Sequence, residues 1–233
     1  MKILACAFLS IWFTACNAEL ISRNLAQKLQ VSEELAKSLI ERITHIDNLN
    51  TSHAPYYPIL SRAFLKERSY KIGCEVGVFT GGHAKFMLAN SNIEKLYCVD
   101  SYIAPMDSAS IITDGFARNY WQACWDTMYY YTLDKMGVFG DRVQFIRLPA
   151  NKAANMIEDH SLDFVFIDGD HSYAGALADC VNYYDKVRSG GIVSGDDYQI
   201  DDVARAVNAF FTQKNLTINV YQGQSRFWWV EKP

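Results

Sequence analysis

The stretch Asp163 to Tyr198, DFVFIDGDHSYAGALADCVNYYDKVRSGGIVSGDDY, constrains the fold more than any other part of the chain. Phe164, Val165, Phe166 and Ile167 form an unbroken apolar run, the composition of a strand covered on both faces of a parallel sheet. The run stops at Asp168. Ser172 is placed to cap a helix whose apolar residues Tyr173, Leu177, Cys180, Val181, Tyr184 and Val187 recur at helical spacing, with Gly190 and Gly191 as its expected end. Ile192 and Val193 begin a second buried strand that stops at Asp196 and Asp197. Strand, crossover helix and strand make a right-handed βαβ unit, so both carboxyl ends lie on one edge of the sheet. Asp168, Asp170, His171, Asp196 and Asp197 are therefore expected to converge where ligands bind in open α/β sheets. Carboxylates crowded into one crevice repel each other, and a hard divalent cation, a bound proton or cationic ligand groups relieve that repulsion. Capping and loop solvation explain a single Asp at a strand end, but explain five polar groups at two adjacent strand ends less well.

At 233 residues the chain can hold one α/β domain with a full core and a short appendage. Its net charge of −4 gives no basic excess for a phosphate-binding surface, so nucleic acid is not an expected partner. The six cysteines contain no CxxC, and Cys74, Cys98, Cys124 and Cys180 fall within expected strands or helices, which favours buried, reduced thiols. At the amino end, Lys2 precedes an uncharged run from Ile3 to Ala18 whose apolar section is too short to span a bilayer comfortably. It resembles a secretory signal, Phe13-Thr14-Ala15-Cys16 loosely resembles a lipoprotein cleavage box, and the plain alternative is an apolar helix docked on the domain or lying in a membrane surface. The expected division is a signal-like or anchor segment at 1–18, a helical appendage at 19–58 and the main domain at 59–233. A cytoplasmic location with membrane contact through residues 3–15 stands against an exported or lipid-anchored one, and oligomerisation is left open.

From Glu19 to Ile46 the pattern is helical, with a break near Val31 and Ser32. Asn48 to Pro58 reads as a loop, followed by a short helix over Leu60 to Glu67 and a first strand over Lys71 to Gly77. The turn Glu75-Val76-Gly77-Val78-Phe79-Thr80-Gly81-Gly82 leads into a helix, and its glycines suit a sharp bend that a ligand approaches closely. The helix start beyond offers free amides to a carboxylate or phosphate. Leu96 to Asp100 is a second strand ending in an acid, the arrangement that holds ribose hydroxyls. A helix over Phe116 to Met136 carries Trp121, Trp125 and Tyr129 at a spacing that favours core, and Ile103 to Thr113 could form a lid. Arg142 to Leu148 is a third strand, followed by Pro149, Ala150 and Asn151 where the base of a cofactor is expected. Asp201 or Asp202 is expected to cap a last helix, and Thr217 to Tyr221 and Ser225 to Val230 read as a closing hairpin. The expected fold is thus a Rossmann-like, doubly wound, seven-stranded, mostly parallel sheet with a C-terminal antiparallel hairpin, preceded by a small helical appendage.

Together these residues resemble the class I S-adenosylmethionine-dependent methyltransferases over about Tyr70 to Pro233. FIDGDHSY followed by GGIVSGDDY is similar to the branch holding the macrolide-sugar and catechol-type O-methyltransferases, many of which bind magnesium. The resemblance implies that Glu75, Gly77, Thr80 and Gly81 surround the methionine part of S-adenosylmethionine and that Asp100 holds the ribose. It places Asp168 beside the cofactor, and Asp168, Asp196 and Asp197 where the branch puts ligands for Mg2+ or another divalent cation. His171 stands where catechol-type relatives carry a proton-removing lysine, with Asp170 as a partner that orients it. Pro149 and Ala150 depart from the acidic or hydroxyl residues common after the third strand, leaving Asn151 for the base. The implied activity is O-methylation of a small hydroxylated acceptor. Two other classes stay open: a nicotinamide-dependent oxidoreductase, against which the terminal hairpin and glycine spacing count, and an exported binding module that keeps the fold without the chemistry.

Overall fold

In a computed structural model of the chain, the described residues are 21–52, 68–104, 115–222 and 226–233. The strands are β1 (Ile72–Val76), β2 (Lys95–Val99), β3 (Val143–Ile146), β4 (Leu162–Ile167), β5 (Val187–Gly195), β6 (Asn219–Val220) and β7 (Trp228–Glu231). They form one seven-stranded sheet in the order β3-β2-β1-β4-β5-β7-β6. Strands β1 to β5 pair in parallel, and β7 runs antiparallel to both β5 and β6. The expected mostly parallel sheet with its antiparallel end is therefore observed.

The strand period of two sorts the core into two layers. Val165, Ile167 and Val193 join Cys74 and Val76 under α5 (Ala150–Ala153), α6 (Tyr173–Tyr184) and α7 (Asp201–Gln213). Phe164 and Ile192 turn the other way and join Leu96 and Cys98 under α3 (Gly82–Asn90) and the end of α4 (Gly115–Met136). Before the sheet, α1 (residues 21–29) and α2 (Glu33–Ser52) are separated by the expected break, where the Ser32 hydroxyl accepts from the Leu35 amide at 3.2 Å. Both helices lie against α4: Leu25, Ala26 and Ala36 pack with Tyr130, and Ile43 packs with Met128 and Tyr102.

Three local expectations are corrected. Helix α2 runs through Ser52, past the expected helical end at Ile46 and into the loop expected from Asn48. Helix α6 stops at Tyr184, and Val187 already belongs to β5, because Gly190 and Gly191 serve an irregularity inside that strand. Gly190 has φ 74, and a Cβ on Gly191 would lie 2.5 Å from the Asp163 carbonyl oxygen. Helix α7 is preceded by Ile200 without a side-chain cap, so Asp201 and Asp202 sit in its first turn, where they complement the helix dipole. The amino-terminal segment at 1–18, the short helix expected at 60–67 and most of the expected lid lie outside the described residues. Among the described residues, no helix is long and apolar enough to cross a membrane.

Candidate active site

At the end of β1 the backbone turns at Gly77, whose φ is 89 and where a Cβ would lie 1.8 Å from the Asp168 carbonyl oxygen. Phe79 (φ 51) and Gly81 (φ 71) continue this left-handed turn. Its free edge is held by Asp100 at the end of β2: one carboxylate oxygen accepts from the Phe79 amide and the other from the Tyr102 amide, each at 2.9 Å. Burial pushes the Asp100 carboxyl above the usual range, against the pull of those amides. With three backbone amides, those of Tyr102, Phe79 and Val78, acting on it, the carboxylate keeps lone-pair capacity for a ligand hydroxyl.

Above the turn opens a cavity of about 810 Å³, within the range of small-molecule and cofactor sites. Gly77, Asp100, Asn151, Asp168, Asp170 and His171 line it, as the sequence suggests. Glu75, Thr80 and Gly81 are not among its lining residues. Glu75 points to the α3 side of the sheet, where an oxygen meets His83 Nδ1 at 2.9 Å between β1 and the Phe166 ring. Thr80 is buried with its carbonyl accepting from Lys135 Nζ at 3.1 Å, and Gly81 is backed by Thr132. Phe79, Trp125, Ile103 and Asp179 also line the cavity. The i,i+4 aromatic spacing of α4 placed Trp125 in the core and gave no sign that its ring would border a ligand.

At the cavity's far side, β4 and β5 bring Asp168 and Asp197 to His171. His171 Nε2 lies 3.4 Å from an Asp168 oxygen and 3.1 Å from an Asp197 oxygen. One ligand atom from each of the three residues lies within 4.8 Å of the others. Burial and then the Asp196 and Asp197 charges push the Asp168 carboxyl up to about 7, against the His171 hydrogen bond. That same hydrogen bond, with the surrounding carboxylates, raises His171, while burial opposes the rise. Asp197 is likewise raised, by burial and by Asp196. Its left-handed φ of 59 is unusual for a side chain other than glycine, and such strain concentrates at functional sites. Asp196 is buried beside this group, lining a smaller cavity with Asp168 and His171, but falls outside the set of three. Asp170 is not the partner of His171: its oxygen accepts from the Ser172 amide at 2.8 Å, at the start of α6. The carboxylates of Asp168 and Asp197 hold the imidazole instead.

The donors fit both groups that the sequence resemblance implies. Gly77 borders the cavity with its backbone packed on that of Asp168, and Asp100 faces the cavity with an amide-bound carboxylate. The Asp168 and Asp197 carboxylates, with His171 within 4.8 Å of both, suit a hard divalent ion as oxygen ligands.

The family model described as "Methyltransferase domain" matches residues 71–198, more than half of the 233-residue chain. The chain belongs to the class I S-adenosylmethionine-dependent methyltransferases. An uncharacterized protein of Acanthamoeba polyphaga mimivirus is 27% identical over 153 residues, which are 64% of this chain and 61% of that protein. Among solved structures, a Staphylococcus aureus protein described as a candidate caffeoyl-CoA O-methyltransferase has a TM-score of 0.56 at 15% identity, covering 93% of this chain and 99% of its own. The O-methyltransferase of Bacillus cereus in complex with SAH has a TM-score of 0.50 at 14% identity, over 84% and 91%. Spermidine synthase of Thermotoga maritima has a TM-score of 0.51 at 15% identity over 78% of this chain, which spans 60% of that one. These likenesses establish the fold, which serves more than one transfer reaction.

Proposed function

We propose that this chain transfers a methyl group from S-adenosylmethionine to a hydroxyl of a small acceptor, with His171 taking the hydroxyl proton. The observation that carries the proposal is His171 at the wall of the cavity with Nε2 between Asp168 and Asp197: that nitrogen carries its hydrogen toward the carboxylates, which leaves Nδ1 to take the proton. Gly77 and Asp100 hold the methionine and ribose ends of the cofactor, which supplies the methyl as a sulfonium. The acceptor oxygen forms the new bond to carbon as the carbon–sulfur bond breaks, the thioether leaves with the electron pair, and the hydroxyl proton passes to the imidazole. Fixing oxygen and methyl in line supplies much of the acceleration, and Phe79, Trp125 and Ile103 offer an apolar wall that excludes water from the acceptor side. Asp168, Asp197 and, with local movement, Asp196 would hold a divalent ion, which would orient the acceptor oxygens and lower the pKa of one of them.

Calorimetric titration with S-adenosylmethionine and with NAD, each with and without Mg2+, separates this function from the oxidoreductase alternative. Binding of the sulfonium compound and not of NAD is the expected result; binding of NAD alone overturns the proposal. With an acceptor found by screening catechols and sugars, His171→Gln should lower kcat about 10²- to 10⁴-fold with little effect on cofactor affinity. Asp197→Asn should remove any stimulation by Mg2+. Full turnover in both variants would leave neither residue a role.

A further inference from the structure

One side chain of the cavity has no use in the chemistry above. Asp179 lies on α6, is 5% exposed and borders the cavity. No hydrogen bond reaches its carboxyl among the described residues, and the charge of Asp170 acts on it. An oxygen of Asp179 lies 3.1 Å from where a Cβ on Gly169 would stand, so the missing side chain at Gly169 leaves that carboxyl its room. Four residues on, the Tyr183 hydroxyl donates to the Ala150 carbonyl at 2.9 Å, tying the same face of α6 to the segment that follows β3. Asp179 and the Pro149 to Asn151 segment therefore both border the cavity, with Asp179 beside Gly169 at the end of β4.

We propose that Asp179 reads the base of the nucleoside cofactor, accepting a hydrogen bond from the exocyclic amine of adenine. The inference rests on the methyltransferase function proposed above. A buried carboxyl without a partner is costly, and such groups persist where a ligand completes them. With the ribose hydroxyls near Asp100, the base lies against the Pro149 to Asn151 segment, which α6 meets through Tyr183. Pro149 and Ala150 offer the base no side-chain acceptor. Asn151 is exposed on α5, so Asp179 is the buried acceptor in reach. Burial, with the Asp170 charge adding to it, pushes the Asp179 carboxyl up to about 7. Near neutral pH it thus also exists as the acid, whose hydroxyl can donate to the ring nitrogen beside the amine.

The test compares binding of S-adenosylhomocysteine with binding of S-inosylhomocysteine, in which an oxo group replaces the amine. At pH 8, where the carboxyl is ionised, wild-type protein should prefer the adenine compound by about tenfold or more, because the amine donates to the carboxylate whereas an oxo group there sets two acceptors against each other. In Asp179→Asn the amide can turn either end to the base, so the preference should fall several-fold towards parity. Asp179→Leu should weaken S-adenosylhomocysteine binding about tenfold or more while the melting temperature without ligand holds or rises. Preference and affinity unchanged in both variants would overturn the assignment and leave the methyltransferase function intact. Failure of the wild-type protein to bind S-adenosylhomocysteine at all would overturn both.

Discussion

Asp179 carries a consequence for stability that is independent of any ligand. Its carboxyl is raised to about 7 in the folded chain, chiefly by burial, against about 3.9 for an unfolded Asp. The folded state therefore binds this proton more tightly than the unfolded one, and stability falls as pH rises from about 4 to about 7. Above that window the whole penalty of a buried, unpaired carboxylate is present, on the order of 2–4 kcal/mol. Asp179→Asn removes it. Thermal unfolding of the ligand-free protein should show the variant gaining over wild type at pH 8 and losing most of that gain at pH 5; an equal gap at both pH values would mean the carboxyl is solvated. The residue was legible in part. Ala176, Asp179, Cys180 and Tyr183 form the buried stripe of α6, and an Asp among apolar neighbours at that spacing is the signal of a buried charge. What the sequence could not supply was the cavity on the other side. The same holds for Asp163, which reads as a strand start yet accepts from the Lys71 and Ile72 amides at 2.6 and 2.8 Å, joining β1 to β4.

At the scale of elements, the glycines show how one residue type serves different devices. The turn after β1 was legible because Gly77 and Gly81 sit at strand-end spacing, and both adopt positive φ. The pair Gly190 and Gly191 was misleading. A helix end and a strand irregularity both call for glycine, and only pairing with β4 reveals that the strand had already begun at Val187. Gly77 couples the first device to the cluster of Asp168, His171 and Asp197, since its missing Cβ makes room for the carbonyl of Asp168, whose side chain meets His171. Gly77→Ala should destabilise the protein by roughly 2–4 kcal/mol in urea unfolding, combining the strained φ with a backbone clash. Because β4 must retreat to relieve the clash, S-adenosylhomocysteine binding should also weaken; a variant that keeps both stability and affinity would show that the turn tolerates a side chain. The sheet end was clearer. Alternation in the last two strands predicted the antiparallel pairing, and Gly195 admits Trp228 so closely that a Cβ there would lie 2.8 Å from the indole.

For the whole molecule, the open matter is how the helices before the sheet join it. Proline and polar residues near 48–58 suggested a boundary, yet α2 continues through Ser52 and sends Asp47 into α4. Its carboxylate oxygens accept from Lys135 Nζ at 2.6 and 2.8 Å and from the Tyr131 hydroxyl at 2.9 Å. The partners are 88 positions apart, which is why helical spacing within α2 could not reveal them. Burial alone would raise the Asp47 carboxyl, but the hydrogen bonds and charge of Lys135, together with Thr80 and Tyr131, hold it below the usual range. The pair therefore stabilises the fold above the ordinary carboxylate range and is lost as pH falls through the lowered folded value. Lys135 also donates to the Thr80 carbonyl in the glycine turn, so the ion pair links α2 to the cofactor side of the sheet. Asp47→Ala leaves an ammonium buried without its carboxylate and should cost about 3–5 kcal/mol, whereas Asp47→Ala combined with Lys135→Met should recover much of that loss. If the linkage reaches the turn, Asp47→Ala should also weaken S-adenosylhomocysteine binding severalfold under conditions where the variant is still folded. Unchanged affinity beside reduced stability would make the first two helices a brace for α4 with no influence on the site, and additive single effects in the double variant would dissolve the pair itself.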